Sequence, residues 1–136
     1  MEILLITRLY SGFESSLKNR NWKPEGIPSI YKLIEKLDSE FNLHLFLTAK
    51  DSGKTYTSNW KKKNDVILKL IGLKSKIYVL AGINVFRGLI PKKMAMIFRD
   101  FRHLLKIILF IRKNKPDIIY CDSSNVVLAF FISKFF

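Results

Sequence analysis

A single cysteine, Cys121, excludes an internal disulfide, so packing rather than cross-linking has to hold the chain together. Acids are scarce as well. Only 11 Asp and Glu stand against 24 Lys and Arg, and the resulting +13 suits a polyanionic surface, either nucleic acid phosphate or anionic lipid. Long apolar runs are missing. Ile3-Leu4-Leu5-Ile6 is short, follows Glu2 and is closed by Arg8, which does not make a secretory signal. Lys106 and Lys134 interrupt the other apolar stretches, so nothing approaches the roughly 20 residues of a membrane-crossing helix. A cytoplasmic protein is expected. No metal-ligand cluster, no phosphate-cradling glycine loop and no nucleophile with a neighbouring base can be found, which weighs against a self-sufficient small enzyme and predicts no metal.

What is present is enough for one globule. A length of 136 residues fits a single domain, and 49% hydrophobic residues can supply its core. Along the chain, Ile3 to Ile6 predicts a buried parallel strand. Leu9 to Ile27, broken by Gly12, Ser15, Ser16, Asn19, Pro24 and Gly26, predicts a long loop, of the kind that is usually functional or disordered. Pro28 suits a first helical turn, and Ile30, Leu33, Ile34 and Leu37 follow at helical spacing. Leu43 to Leu47 is the next strand, in which His44 is expected to be an edge-facing or hydrogen-bonded core histidine rather than a ligand or base. Lys61-Lys62-Lys63 falls in a polar stretch and is expected to be a solvated surface loop. Val66 to Leu68 and Ile77 to Leu80 predict a hairpin or a bent strand.

Pro91 then opens a periodic segment, Lys92 to Lys113, that predicts a helix of about 30 Å. Within it Lys92, Arg99, Arg102, His103, Lys106 and Lys113 recur at spacings of three, four and seven, drawing a basic stripe on an apolar rod. Two outcomes are open for this stripe. It is either a solvated ridge on a sheet-packing helix, or an anion-binding surface for lipid headgroups at about 1 kcal/mol per basic residue. Pro116 ends that helix, and Ile118-Ile119-Tyr120 predicts a central parallel strand buried on both faces, with Cys121 an inert core thiol. Asp122, Ser123 and Ser124 follow where a ligand would approach the carboxyl edge of an open α/β sheet, and either serine could cap a last helix through Ile132. Strands alternating with helices predict an α/β, Rossmann-like, doubly wound and mostly parallel sheet with helices on both faces.

Three stretches, Met1 to Thr7, Lys23-Pro24-Glu25-Gly26-Ile27-Pro28 through Leu37, and Lys115-Pro116-Asp117-Ile118-Ile119-Tyr120-Cys121-Asp122, resemble the N-terminal half of the GT-B glycosyltransferases, in particular family 4. The resemblance implies an acceptor-binding domain for transfer of a sugar from a nucleotide-sugar donor to a glycan or lipid-linked acceptor. It implies no cofactor held by this half, and a donor-binding half with its paired glutamates on the same longer chain or a separate subunit. On that basis Thr7, Arg8, Gly26, Pro28 and Ser123 are expected to bind substrate, with Gly26 at the matching glycine turn. The family's usual paired glycines are replaced by Glu25-Gly26-Ile27-Pro28. Asp122 stands where many members carry a histidine, and it could orient an acceptor hydroxyl or cap the following helix. Lys92, Arg99, Arg102, Lys106 and Lys113 are the expected contacts to an anionic surface on the inner face of a membrane. The competing readings are a basic nucleic-acid-binding module, disfavoured because no recognisable nucleic-acid motif accompanies the charge, and an inactive Rossmann-like fragment.

Overall fold

The structure is a computed structural model and describes residues 1–26, 28–50, 64–82 and 91–135, with Pro28 and Lys92 described through their backbone alone. Lys61-Lys62-Lys63 lies outside the described residues. The order is β1 (Glu2–Arg8), α1 (Ser11–Asn19), α2 (Pro28–Glu40), β2 (Asn42–Thr48), β3 (Val66–Lys69), β4 (Lys76–Leu80), α3 (Lys92–Asn114), β5 (Ile118–Cys121) and α4 (Val126–Phe135). The strands form one sheet in the order β3-β4-β2-β1-β5. β1 pairs in parallel with β2 and β5, β2 pairs in parallel with β4, and β3 joins β4 as an antiparallel edge. This is the expected Rossmann-like α/β arrangement.

Period-two alternation sends the strand residues to two separate cores. Ile3, Leu5, Leu43, Leu45, Leu47, Ile77 and Val79 pack beneath α1 and α2 with Phe13, Leu17, Ile34 and Leu37. Leu4, Ile6, Phe46 and Leu80 face the other way, onto Leu104, Ile107 and Ile111 of α3 and Leu128 and Ile132 of α4. Truncating a fully buried member such as Ile34, Leu45 or Ile107 to alanine costs about 2–5 kcal/mol.

Three expectations need correction. The stretch from Leu9 to Ile27 is not a continuous loop, because Ser11–Asn19 is helical: Phe13 and Leu17, one turn apart, bury against β1 and α2. β5 is parallel but not central. Among the described residues it has one neighbour, β1, so Tyr120 is exposed and Ile118, Ile119 and Cys121 are only half-buried. The strands flanked on both sides are β4, β2 and β1, and of these β1 is buried throughout Ile3–Thr7. Neither serine caps α4 either. A 3-10 turn over Ser123–Asn125 precedes it, begun by Asp122, whose carbonyl accepts from the Asn125 N–H at 2.9 Å.

Other features follow expectation. β3 and β4 form a hairpin, and Asp38 of α2 fastens its turn by accepting from the Lys74 and Ser75 N–H groups at 2.9 and 2.8 Å. His44 sits 2.8 Å from Glu2 Oε2 and meets the Phe110 ring edge-on. No helix among the described residues is long and apolar enough to cross a membrane.

Candidate functional site

The connections from β1 run through α2 to β2 and on to β4. The connection from β4 through α3 then passes over β2 and β1 to reach β5 on the far side. The direction of winding therefore reverses between β1 and β5. In open α/β sheets ligands bind in the crevice at the carboxyl ends of the strands flanking such a reversal. α2 and α4 begin at this same rim, where their dipoles favour negative charge, whereas α3 starts beyond it and meets the rim with its second and third turns, through Arg102 and His103 at the Ala81 carbonyl.

Thr7, Arg8, Asp122 and Ser123 all lie at the reversal. Asp122 Oδ2 accepts from Thr7 Oγ1 at 2.7 Å, from the Arg8 N–H at 2.8 Å and from Tyr10 Oη at 3.3 Å. Its other oxygen accepts from Ser124 Oγ and Asn125 Nδ2, both at 2.7 Å. Two carboxylate oxygens offer about four lone-pair positions, so five donors occupy them fully. Burial alone would raise the Asp122 pKa, yet the hydrogen bonds from Arg8, Ser124, Thr7 and Asn125 prevail and hold it below the ordinary carboxylate range. An acid so placed is a poor proton acceptor. Asp122 joins the end of β1 to the start of α4 and thereby positions the groups around it.

A second layer surrounds this carboxylate. Thr48 Oγ1, buried at the end of β2, shares its proton between the Thr7 carbonyl at 3.3 Å and Asn125 Oδ1 at 3.2 Å. Lys50, two residues on, is half-buried and donates from Nζ to the Ser124 carbonyl. Burial pushes its pKa down, the Asp100 carboxylate resists, and Arg99 and Arg8 add to the depression. Arg99 is buried in the second turn of α3 and pairs with Asp100 at 2.9 Å. The charges that face Lys50 are therefore of both signs, Arg8 and Arg99 against Asp100 and Asp122.

The segment carrying Gly26 reaches the same rim by way of α1. The Glu25 N–H donates to the Gly12 carbonyl at 3.1 Å, and Tyr31 Oη donates to the Glu25 carbonyl. Gly12 is what permits this approach, since a Cβ there would collide with the Glu25 carbonyl and with Tyr31 Oη. Gly26 has φ +100°, a conformation that suits glycine. Tyr10 completes the link, touching Asp122 through its hydroxyl and Phe13 through its ring. Pro28 begins α2 beside it. Tyr10, Thr48, Lys50 and Asn125 belong to this site and carry no periodic or motif signal in the sequence. The strand-exit position of Thr48 and Lys50 was the one available cue.

Beyond Arg99, which reaches the rim, the basic stripe of α3 turns toward β3 and β4, and from Arg99 to His103 it is not a solvated ridge. Arg99 and His103 are buried, and Arg102 pairs with Asp65 at 2.9 Å. Lys106 also pairs with Asp65. His103 Nε2 lies 3.0 Å from the Ala81 carbonyl, so this nitrogen carries the proton. Burial pushes the ring's pKa down to about 4. Lys113 is exposed at the far end, and Lys92 is the first residue of α3. The periodicity was right and its direction was not, because Asp65, contributed just before β3, draws the stripe against the sheet. Among the described residues no group of His, Cys, Asp and Glu could hold a metal ion. Comparison with protein-family models, with curated proteins and with solved structures gives no match.

Proposed function

We propose that this chain is the acceptor-binding half of a GT-B-type glycosyltransferase, working at the cytoplasmic face of a membrane with a donor-binding half supplied from elsewhere. The observation that carries the reading is the reversal between β1 and β5, where Thr7, Arg8, Asp122 and Ser123 meet beside the N-termini of α2 and α4. In sugar transfer the acceptor hydroxyl oxygen bonds to the anomeric carbon while the bond to the donor phosphate breaks; negative charge grows on that phosphate, which can take up the proton the hydroxyl loses. Lys50 and Arg8, with the helix dipoles behind them, are suited to attract phosphate, whether on the donor or on a lipid-linked acceptor. Asp122 acts as a positioning residue: its lowered pKa suits orientation of Tyr10, Thr7 and the β5–α4 turn better than proton removal. The nucleotide-sugar donor and the paired glutamates belong to the other half in this scheme.

The test is a titration of the isotope-labelled chain, followed by NMR, with inorganic pyrophosphate, farnesyl pyrophosphate and short oligosaccharides. Resonance shifts gathered at Thr7, Arg8, Lys50 and Ser123 to Asn125 are expected. Shifts absent from this rim with all three probes would remove the proposal. Tight binding of single-stranded RNA that weakens steeply with salt would replace it with the nucleic-acid reading.

A further inference from the structure

Facing its basic stripe toward β3 and β4 leaves α3 with an outward surface made of the opposite chemistry. Ile97, Phe98, Phe101 and Leu105 are all exposed, and Met94 and Leu109 extend the row at either end. At 100° per residue these positions share about a third of the helix circumference. α4 packs on the same side of the sheet through Leu128 and Ile132, and exposes Phe130 and Phe131 together with Val126, Val127 and Phe135. Phe101 is 57% and Phe130 59% exposed, values far from those of core phenylalanines such as Phe13 at 0%. Contiguous apolar surface of this extent is uncommon on a monomer in water and marks a contact surface.

We propose that the outward face of α3 and α4 docks on an anionic lipid bilayer, lying in the interface with its phenylalanines at the acyl boundary. Charge selects lipid over a second copy of the chain. α4 contains no acid, and the one acid of α3, Asp100, is tied to Arg99, so no free carboxylate of either helix faces the headgroups. Cations border the surface instead: exposed Lys93 at the start of α3, exposed Arg112 and Lys113 at its end, and exposed Lys134 near the end of α4. Their long stems let the ammonium and guanidinium groups reach phosphate level while apolar neighbours go deeper. Two copies apposed through this face would bring together chains of +13 each, whereas anionic lipid is attracted by the same charge. With no described helix able to cross a bilayer, the surface lies on the membrane. The inference uses no residue of the rim and stands whether or not the chain takes part in sugar transfer.

Vesicle flotation tests it, with phosphatidylcholine alone and with phosphatidylcholine–phosphatidylglycerol mixtures. The parent chain is expected to float with the anionic vesicles and more weakly with the neutral ones. Combining Phe98→Ser, Phe101→Ser and Phe130→Ser should weaken partitioning about tenfold or more, since affinity scales with the apolar area inserted, while circular dichroism and melting temperature stay close to the parent's. Lys93→Glu with Lys113→Glu should weaken binding to anionic vesicles alone. A Phe101→Trp reporter should shift its emission to the blue and be quenched by brominated acyl chains, which reads insertion without removing any apolar group. The proposal is overturned if the parent stays in the soluble fraction with anionic vesicles, if the triple variant floats as well as the parent, or if the emission of the Phe101→Trp reporter ignores brominated lipid. It is equally overturned if sedimentation shows a lipid-indifferent dimer that the triple variant converts to monomer, because the face then belongs to a second copy.

Discussion

The backbone N–H of Arg8 donates to Oδ2 of Asp122 at 2.8 Å, joining the last residue of β1 to the first residue beyond β5. That carboxylate collects four other donors at the same time, so its removal strands several polar groups at once. Asp122→Ala is expected to destabilise the fold by about 2–4 kcal/mol, read as a lowered midpoint in urea. Asp122→Asn should not restore stability, because an amide N–H would face either Thr7 and Arg8 or Ser124 and Asn125. An asparagine variant as stable as the parent would show that the carboxylate is not the organising group.

Gly12 is the tightest point of the candidate site. A methyl group there must displace the Glu25 carbonyl or Tyr31, both held in a shared hydrogen bond. Gly12→Ala is therefore expected to cost more than about 3 kcal/mol, despite alanine's better helix propensity, which is worth about 1 kcal/mol in the other direction. Thermal melting decides the sign, and a stabilised variant would mean that the Glu25–Gly26 segment does not rest on α1.

His103 predicts how the fold responds to acid. Burial lowers its pKa from 6.5 to about 4, against the pull of the Ala81 carbonyl and with the help of Arg102 and Arg99. Between those two pH values the unfolded chain holds the extra proton, so stability rises with pH. The contribution is complete above about 6.5 and is lost as pH falls toward 4, by about 3 kcal/mol in all. Urea denaturation at a series of pH values should show this slope. His103→Gln, whose side-chain amide can still donate to Ala81, should flatten it.

Lys50 should titrate apart from the surface lysines. Reductive methylation with carbon-13 formaldehyde makes each lysine visible by NMR, and the Lys50 signal is expected to lose its proton at lower pH than the exposed ones. Burial is the main cause and Asp100 the main opposition. Asp100→Asn should therefore lower the Lys50 midpoint further, and Arg99→Gln should raise it. A Lys50 that titrates with the exposed lysines and ignores both substitutions would not belong to the charged rim.

Much of this architecture is written in short-range pattern, and the failures have identifiable causes. The apolar run Ile3 to Ile6 and the Pro116 boundary specify strands because burial on both faces leaves no room for polar alternation. The same logic misplaced β5, since Ile118-Ile119-Tyr120 carries the composition of a central strand while its outer side has no partner among the described residues. α1 was hidden because Gly12, Ser15, Ser16 and Asn19 look like loop residues, and only Phe13 and Leu17 bring large apolar side chains to a buried face that also holds Gly12 and Ser16. For α3 the sequence carries the spacing of the basic residues but not their direction, which depends on Asp65 lying 37 residues away from Arg102. The rim followed the same division. Thr7, Arg8, Asp122 and Ser123 could be found from strand order, whereas Lys50 and Thr48 join them through contacts 74 and 77 residues apart in sequence, to Ser124 and Asn125.

The bare margin of β5 has a consequence for the behaviour of the backbone. In a parallel edge strand successive amides point alternately inward and outward, so every second N–H from Ile118 to Cys121 should exchange with deuterium nearly as fast as in a peptide while its neighbours are retained by β1. Any polypeptide that added itself alongside would slow the fast set alone. The period-two signature of that strand is thus a gauge of whether the sheet is finished at five strands or has been lengthened.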